Sequence, residues 1–419
     1  MKKKITISYR KSSNSNNSIA MKKIAADYAF TLDGSLKPVE RPLIVTDESG
    51  SILSVSQFTD DDLKAQDIEY HKGTLIPGMV NAHCHIELSH LKGVFRQATG
   101  MSGFINQINE LRESVDEKGR LKAMLAEFEN FYRQGVVAVS DISNCNESFP
   151  LKKEYQKKVY YRTFVELFGT EKADAEAILD GGQRVADQAT ALGLDASVTP
   201  HSCYTMSPKL LEITAKRGLE SGSISYHSQE SQEEEDMIAK GSGALADNYR
   251  SRGLSTPPVT GTTALEYFID RIAEKDKKVQ GRINLVHNVV LSQRSIDRAK
   301  EALQSPFFTI CPLSNIFIHR QLPPIDLMMK NNLKICLGTD SLSSNLILDM
   351  IREMECLQEN FPSLELGQIL KWACTNGAEL LGKQDTLGSI KEGKTPGIVL
   401  LENLDDFRIT KDTKSIRIA

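Results

Sequence analysis

The sequence predicts an α/β chain: a (β/α)8 barrel of the TIM type with a small β-sandwich domain built from both chain ends. Three observations predict it. Eight short apolar runs alternate with amphipathic helical stretches between Thr74 and Asp340, the pattern of buried parallel strands with helical crossovers. β-type runs broken by turn residues come before them, over 22–75, and return after about residue 376. Five of the eight histidines, together with Asp340, close those apolar runs, and strand C-terminal ends are where a (β/α)8 barrel gathers its chemistry.

The elements follow in chain order. Residues 1–20 begin with Lys2 to Lys4 and continue into a Ser/Asn tract at 11–18. The apolar core of a secretory signal is missing, so a loose, disordered extension is expected. A second Met-Lys-Lys begins at Met21, which leaves either methionine as the start. IAADYAF, RPLIVTD and SILSVSQF, separated by Asp-Gly and polar turns, read as small antiparallel strands and form the first part of the β-domain over 21–75. The barrel is expected over 76–375. Its eight runs are LIPGMVNAH, VVAVSDIS, VYYRTFVEL, DASVTPH, SISYH, RINLVH, FFTICPLSN and LKICLGTD. Between them, LKAMLAEFENFYRQ puts Leu121, Met124, Leu125, Phe128 and Tyr132 on one helical face, with Gly135 as the stop. Ser207-Pro208 opens another helix, and Gly218 is read as its end. A doubly wound sheet is the competing architecture, but neither G-x-G-x-x-G nor a Walker A pattern is present. Residues 376–419 regain the β-turn texture and complete the β-domain.

Composition narrows the function. Among 419 residues, Lys and Arg number 51 and Asp and Glu 55, a formal charge of −4, which argues against a nucleic-acid partner. No apolar stretch reaches the ~18 residues of a membrane span. The seven cysteines are scattered, odd in number and without a C-x-x-C pair, so a reduced, cytoplasmic setting is expected.

The histidines carry the strongest signal. His83 and His85 close the first run, His201 the fourth, His227 the fifth and His287 the sixth, while Asp340 closes the eighth. Residues i and i+2 of a strand share a side. His83 and His85 can therefore aim at one ion, while Cys84 points away into packing. Two imidazoles, a third from His227 and a carboxylate from Asp340 leave one position for water, the open arrangement of a catalytic site. Glu230 follows His227 by three residues, within reach of substrate without being a ligand, and suits acid–base work. Glu233, Glu234 and Glu235 come at once after it and read as a solvated helix start. His287 is suited to steer or deprotonate the water.

PGMVNAHCH (77–85), TPHSCYTMSP (199–208), HSQE (227–230), LVHN (285–288), CPLSN (311–315) and GTDSLSSN (338–345) resemble the amidohydrolase superfamily, in its deaminase and chlorohydrolase branch. LGSIKEGK (387–394) is similar to that family's C-terminal β-domain signature. The group includes adenosine-type, S-adenosylhomocysteine, guanine and aminodeoxyfutalosine deaminases. The resemblance implies His83, His85, His227 and Asp340 as metal ligands, Glu230 as proton shuttle, His287 as water-orienting residue with Asp340, and His201 as a substrate contact. Two-metal members carry a carboxylated Lys at the end of strand four. Here that strand ends Val198-Thr199-Pro200-His201, so one divalent ion, zinc or else iron, is implied. Ile86-Glu87-Leu88-Ser89 after the H-x-H looks like the aminodeoxyfutalosine group. Glu87 is either a substrate contact or an ordinary loop carboxylate, and Glu166 either a substrate contact or a satisfied core-edge carboxylate. Thr395-Pro396-Gly397 departs from the family's basic–small–Asp run, which touches the β-domain alone.

The resemblance implies hydrolytic deamination of an aminated purine-type nucleoside or heterocycle. A chlorohydrolase or cyclic amide hydrolase could use the same site, and a non-catalytic binding or assembly protein is the remaining rival. The expected partner is a small heterocyclic molecule, with no nucleic acid and no membrane, and a homodimer is compatible with the sequence. No base-stacking residue can be assigned. Residues 231–260 follow strand five and are expected to line or cover the site.

Overall fold

The computed structural model describes residues 21–64 and 67–419; the extension expected over 1–20 lies outside the described residues. The chain opens with β1 (Lys22–Ala29), β2 (Val39–Glu40), β3 (Pro42–Thr46), β4 (Ile52–Gln57) and β5 (Ile68–Pro77). Eight strands then fall on the eight apolar runs: β6 (Met79–Cys84), β7 (Val136–Ser143), β8 (Tyr160–Leu167), β9 (Asp195–Pro200), β10 (Ser223–Ser228), β11 (Val279–His287), β12 (Leu303–Ile310) and β13 (Ile335–Leu337). They form two four-stranded parallel sheets, β6-β7-β8-β9 and β10-β11-β12-β13. Every residue of β6, β7 and β10 is buried. Both faces of these strands are covered, which is why they read as continuous apolar runs rather than alternating ones.

The two parallel sheets meet at both edges. Between β9 and β10, Thr199 Oγ1 donates to Ser225 O (2.6 Å) and accepts from Ser225 N (2.8 Å), and His227 N donates to His201 O (2.9 Å). Between β13 and β6, the amides of Thr339 and Asp340 both donate to His83 O (3.1 and 3.0 Å). These edges bring His83, His201, His227 and Asp340 to one end of the strands.

β14 (Ile398–Glu402) and β15 (Lys414–Arg417) return to the first sheet, whose order is β15-β14-β5-β1-β3-β4 with β2 on β1. Both chain ends thus contribute strands to one sheet. The expected sandwich is corrected, because the described strands of this unit form a single seven-stranded sheet. β14 hydrogen-bonds along the edge of β5, Ile398 opposite Pro77, instead of stacking over it. Gly78 separates β5 from β6. Leu75 to Pro77 pair with β14, and Met79 begins the parallel sheet. A Cβ on Gly78 would come within 2.2 Å of Val137 Cγ1 and 2.5 Å of Pro396 O, so the chain can pass between the two units only as glycine.

Helix Glu117–Gln134 starts where the Asp116 side chain accepts from Gly119 N (2.9 Å) and ends at Gly135, φ 88°. Its buried stripe is Met124, Glu127, Phe128, Phe131 and Gln134. Leu125 lies one position off that stripe and Leu121 a turn ahead of it, so both are exposed, against the face assigned from sequence. Helix Pro208–Leu219 is capped by Ser207 but runs through Gly218, which is no stop. A Cβ there would meet Val198 O at 2.5 Å, so this glycine serves close packing. Residues 231–260 hold two helices, Gln232–Lys240 and Ala244–Ser251, rather than one loop. Among the described residues no helix is long and apolar enough to cross a membrane.

Candidate active site

The strand ends converge on a histidine cluster. His83 Nε2 and His85 Nε2 lie 3.1 Å apart, and His85 Nε2 is 3.3 Å from His227 Nε2. Asp340 Oδ1 sits 3.7 Å from the Nε2 atoms of both His83 and His85. Four ligands around an ion with bonds near 2.0–2.1 Å are spaced about 3.4 Å from one another, and the four separations between these atoms given above, 3.1–3.7 Å, are near that value. Burial, reinforced by the neighbouring rings, keeps His83 well below the usual histidine range and holds His227 down at about 3. Neutral imidazoles offer a lone pair, which is what a divalent ion needs. The donor set fits such an ion.

The shell is held from behind. Asp340 Oδ2 accepts from Ser314 Oγ (2.6 Å) and Ser344 Oγ (2.7 Å), which leaves Oδ1 for the cluster. Glu166 Oε1 lies 3.3 Å from His227 Nδ1, on the side of the ring away from the cluster's Nε2 atoms. The backbone is bent to the task. Asp340 (φ 57°), His287 (φ 78°) and Gln229 (φ 49°) all sit in the left-handed region without being glycine, at a cost on the order of 1–3 kcal/mol each. Gly338 permits the closest approach: a Cβ there would meet His83 N and O at 2.9 Å each. Gly338→Ala is therefore expected to push β13 off β6 and split Asp340 from His83. Metal analysis and thermal unfolding should show less bound metal and a lower Tm, and unchanged values for both would refute this account of the glycine.

Glu230 is buried beside the cluster. Its Oε1 is 3.7 Å from His287 Nε2 and 3.7 Å from His319 Nε2. Burial pushes its carboxyl up, but the attraction of the facing His287 and His319 rings outweighs that and lowers it to about 2. Asn315 Nδ2 lies 3.1 Å from His287 Nδ1. With that amide donating, the His287 proton is on Nε2, facing Glu230. His201 stacks on His227, ring centroids 4.5 Å apart. Its Nδ1 is held by Ser202 Oγ (2.8 Å) and Thr205 Oγ1 (3.0 Å), and burial lowers it to about 3.

A cavity of about 510 Å³ opens over these groups, lined by His85, Glu166, His201, His227, Glu230, His287 and Asp340. Glu87 is not on its wall. That carboxylate accepts from Asn144 N (3.0 Å) and Ser148 Oγ (2.9 Å) and so holds the turn after β7. Asn144 reaches the cavity in its place, donating from Nδ2 to Glu166 Oε2 (3.2 Å) while its Oδ1 accepts from Arg112 (3.1 Å). Sequence reasoning missed Asn144, although its place just past a strand end was the available signal. It also missed Phe104, Phe168, Tyr204 and Tyr249, the aromatic rings of the cavity wall. The reading of Glu233, Glu234 and Glu235 as a solvated face is corrected. Glu233 accepts from the amides of Met101 and Ser102 (3.0 and 3.1 Å), and Glu235 accepts from Ala264 N (3.1 Å). Glu234 is fully buried and accepts from the Glu230 amide (2.7 Å), with burial pushing its carboxyl up to about 8. Each carboxylate is spent on backbone amides that would otherwise lack a partner.

Comparison with known proteins agrees with this geometry. The family model described as "Amidohydrolase family" matches residues 74–417. A 5'-deoxyadenosine deaminase of Methanosphaera stadtmanae is 25% identical over 397 residues, 92% of this chain and 83% of the relative. A 5-methylthioadenosine/S-adenosylhomocysteine deaminase of Clostridium tetani is 27% identical over 337 residues, 78% of this chain and 72% of the relative. The crystal structure of Helicobacter pylori aminofutalosine deaminase superposes with a TM-score of 0.78 at 20% identity, covering 96% of this chain and 100% of that one. A family match over residues 74–417, most of the chain, leads to one conclusion: the chain belongs to the amidohydrolase family.

Proposed function

We propose that the chain hydrolytically deaminates an adenosine-like nucleoside, with one divalent ion, zinc or else iron, held by His83, His85, His227 and Asp340. The observation that supports this best is the chain of 3.1–3.7 Å separations that links His83, His85, His227 and Asp340 beside a buried Glu230, with His85, His227, Glu230 and Asp340 on the wall of one cavity. The deaminase names of the relatives give the substrate class. In the same reading the two parallel sheets close into one eight-stranded (β/α)8 barrel over residues 76–375, flanked by a β-domain from residues 21–75 and 376–419.

A divalent ion bound there supplies a water acidic enough to yield hydroxide near neutral pH. Glu230, held as a carboxylate, takes one proton of that water and passes it to the ring nitrogen beside the amine-bearing carbon. The second proton goes to the departing amine. Ammonia leaves and the ring carbon keeps the oxygen, so the two protons of water are both accounted for. His287 Nε2–H orients the attacking oxygen. Asn144, Glu166 and His201 face the nucleoside, and Glu87 acts behind the wall by fixing the turn that carries Asn144.

The test is a panel of adenosine, 5'-deoxyadenosine, 5'-methylthioadenosine, S-adenosylhomocysteine, guanine and a chloro-triazine, read for ammonia and for chloride, beside metal analysis of the purified protein. Ammonia from at least one adenosine-type nucleoside and one equivalent of zinc or iron are expected. Chloride without ammonia would favour the chlorohydrolase alternative, and two equivalents of metal would overturn the single-ion assignment.

A further inference from the structure

Three histidines lie outside the strand-end set. His71 Nε2 pairs with Glu69 (2.9 Å), and His90 Nε2 with the carbonyl of Arg112 (2.8 Å). His319 has no such structural partner. Its Nε2 is buried without a hydrogen bond and faces Glu230 Oε1 at 3.7 Å. That spacing is a charge contact rather than a formed hydrogen bond, and a small rotation of the carboxylate would close it.

The helix that carries His319 explains its place. Pro312–His319 presents Ser314 to Asp340 Oδ2 (2.6 Å) and Asn315 to His287 Nδ1 (3.1 Å). Asn315 and His319 are four residues apart and so share a helical face. One short helix therefore sets both imidazoles that face Glu230 Oε1: His287 through Asn315, and His319 directly. His319 ends that helix before Arg320 turns into the left-handed region (φ 54°). On its far side is a second cavity of about 470 Å³, lined by Gln97, Gly100, Glu230, Glu233, His319 and Arg320. Glu230 stands between the two cavities, with His319 on the side away from the histidine cluster.

The geometry points to His319 as a positioning residue for Glu230. Its ring anchors Oε1 from the second cavity, which leaves Oε2 to exchange the proton with substrate and leaves His287 Nε2–H free for the attacking oxygen. This inference rests on the deaminase reading for its effect on turnover, though not for the pairing itself.

The pairing is tested first without turnover. In protein labelled with 15N-histidine, Glu230→Gln should move the ring-nitrogen resonance assigned to His319 by comparison with His319→Gln. A resonance that stays put would overturn the pairing. Turnover is tested next. His319→Ala should lower kcat by roughly 10–100-fold, the range for an orienting partner behind a functional group, with KM and metal content within about twofold of wild type. His319→Gln, which keeps a donor, should recover most of that loss. Equal losses for Ala and Gln, or a loss carried by KM or by metal content, would reduce His319 to a structural role and overturn the proposal. A metal-loaded wild type that releases no ammonia counts against the deaminase reading, and the ring-nitrogen shift then decides the pairing by itself.

Discussion

Lys152→Ala should be among the most destabilising single changes in the chain, on the order of 3–5 kcal/mol. Lys152 is fully buried, with Nζ 2.6 Å from Asp141 Oδ2 and 2.8 Å from Ser143 Oγ, and Asp141 is fully buried too. Removing the ammonium leaves a carboxylate in the interior with neither water nor a counter-charge. The damage should also reach the metal centre, because Asp141 Oδ1 accepts from Ile86 N (3.0 Å), the residue after His85. Urea unfolding with and without added zinc is the measurement, together with metal content at equal protein concentration. The double change Asp141→Asn, Lys152→Met removes both charges and should cost much less than the single one. A single-variant loss below about 1 kcal/mol would show that Asp141 finds another partner and would refute the buried-pair account.

The contrast between Lys152 and its neighbour shows where sequence reading stops. Lys152 and Lys153 are adjacent and chemically identical, yet one is fully buried and the other exposed. Only the position of Asp141 on β7 decides between them. Features set by local periodicity were legible: the eight parallel strands, the side shared by His83 and His85, and the histidines at strand ends. Features set by partners distant in sequence were not. Glu233 meets Met101 and Ser102, Glu235 meets Ala264, and Glu230 meets His319. A run of glutamates at a helix start looks the same whether it faces water or the amides of a neighbouring loop. The end sheet was half legible for the same reason. Its strands show in the β-type runs, but whether β14 hydrogen-bonds to β5 or stacks over it depends on an edge pairing across more than three hundred residues, which periodicity does not encode.

Glu230→Gln should lower turnover by about 10²–10⁴-fold, the range for one general acid–base group, and leave metal content unchanged. The substitution keeps size and shape but removes the site that takes up a proton. The placement of the residue does not depend on its carboxylate, because the Glu230 amide donates to Glu234 Oε2 (2.7 Å) and Gln229 already sets the turn at φ 49°. The ion is not expected to notice, since the proposed ligands His83, His85, His227 and Asp340 do not include Glu230. His227→Ala is the control with the opposite signature. It removes a nitrogen 3.3 Å from His85 Nε2, and it should lose metal and activity together. The two variants thus separate proton transfer from metal binding on neighbouring residues of one strand end. Metal analysis comes first, then ammonia release at saturating nucleoside. A Glu230→Gln protein with near wild-type turnover would end the proton-shuttle assignment. His287, whose Nε2 lies 3.7 Å from Glu230 Oε1 on the same cavity wall, would then be the group left in position to move the proton.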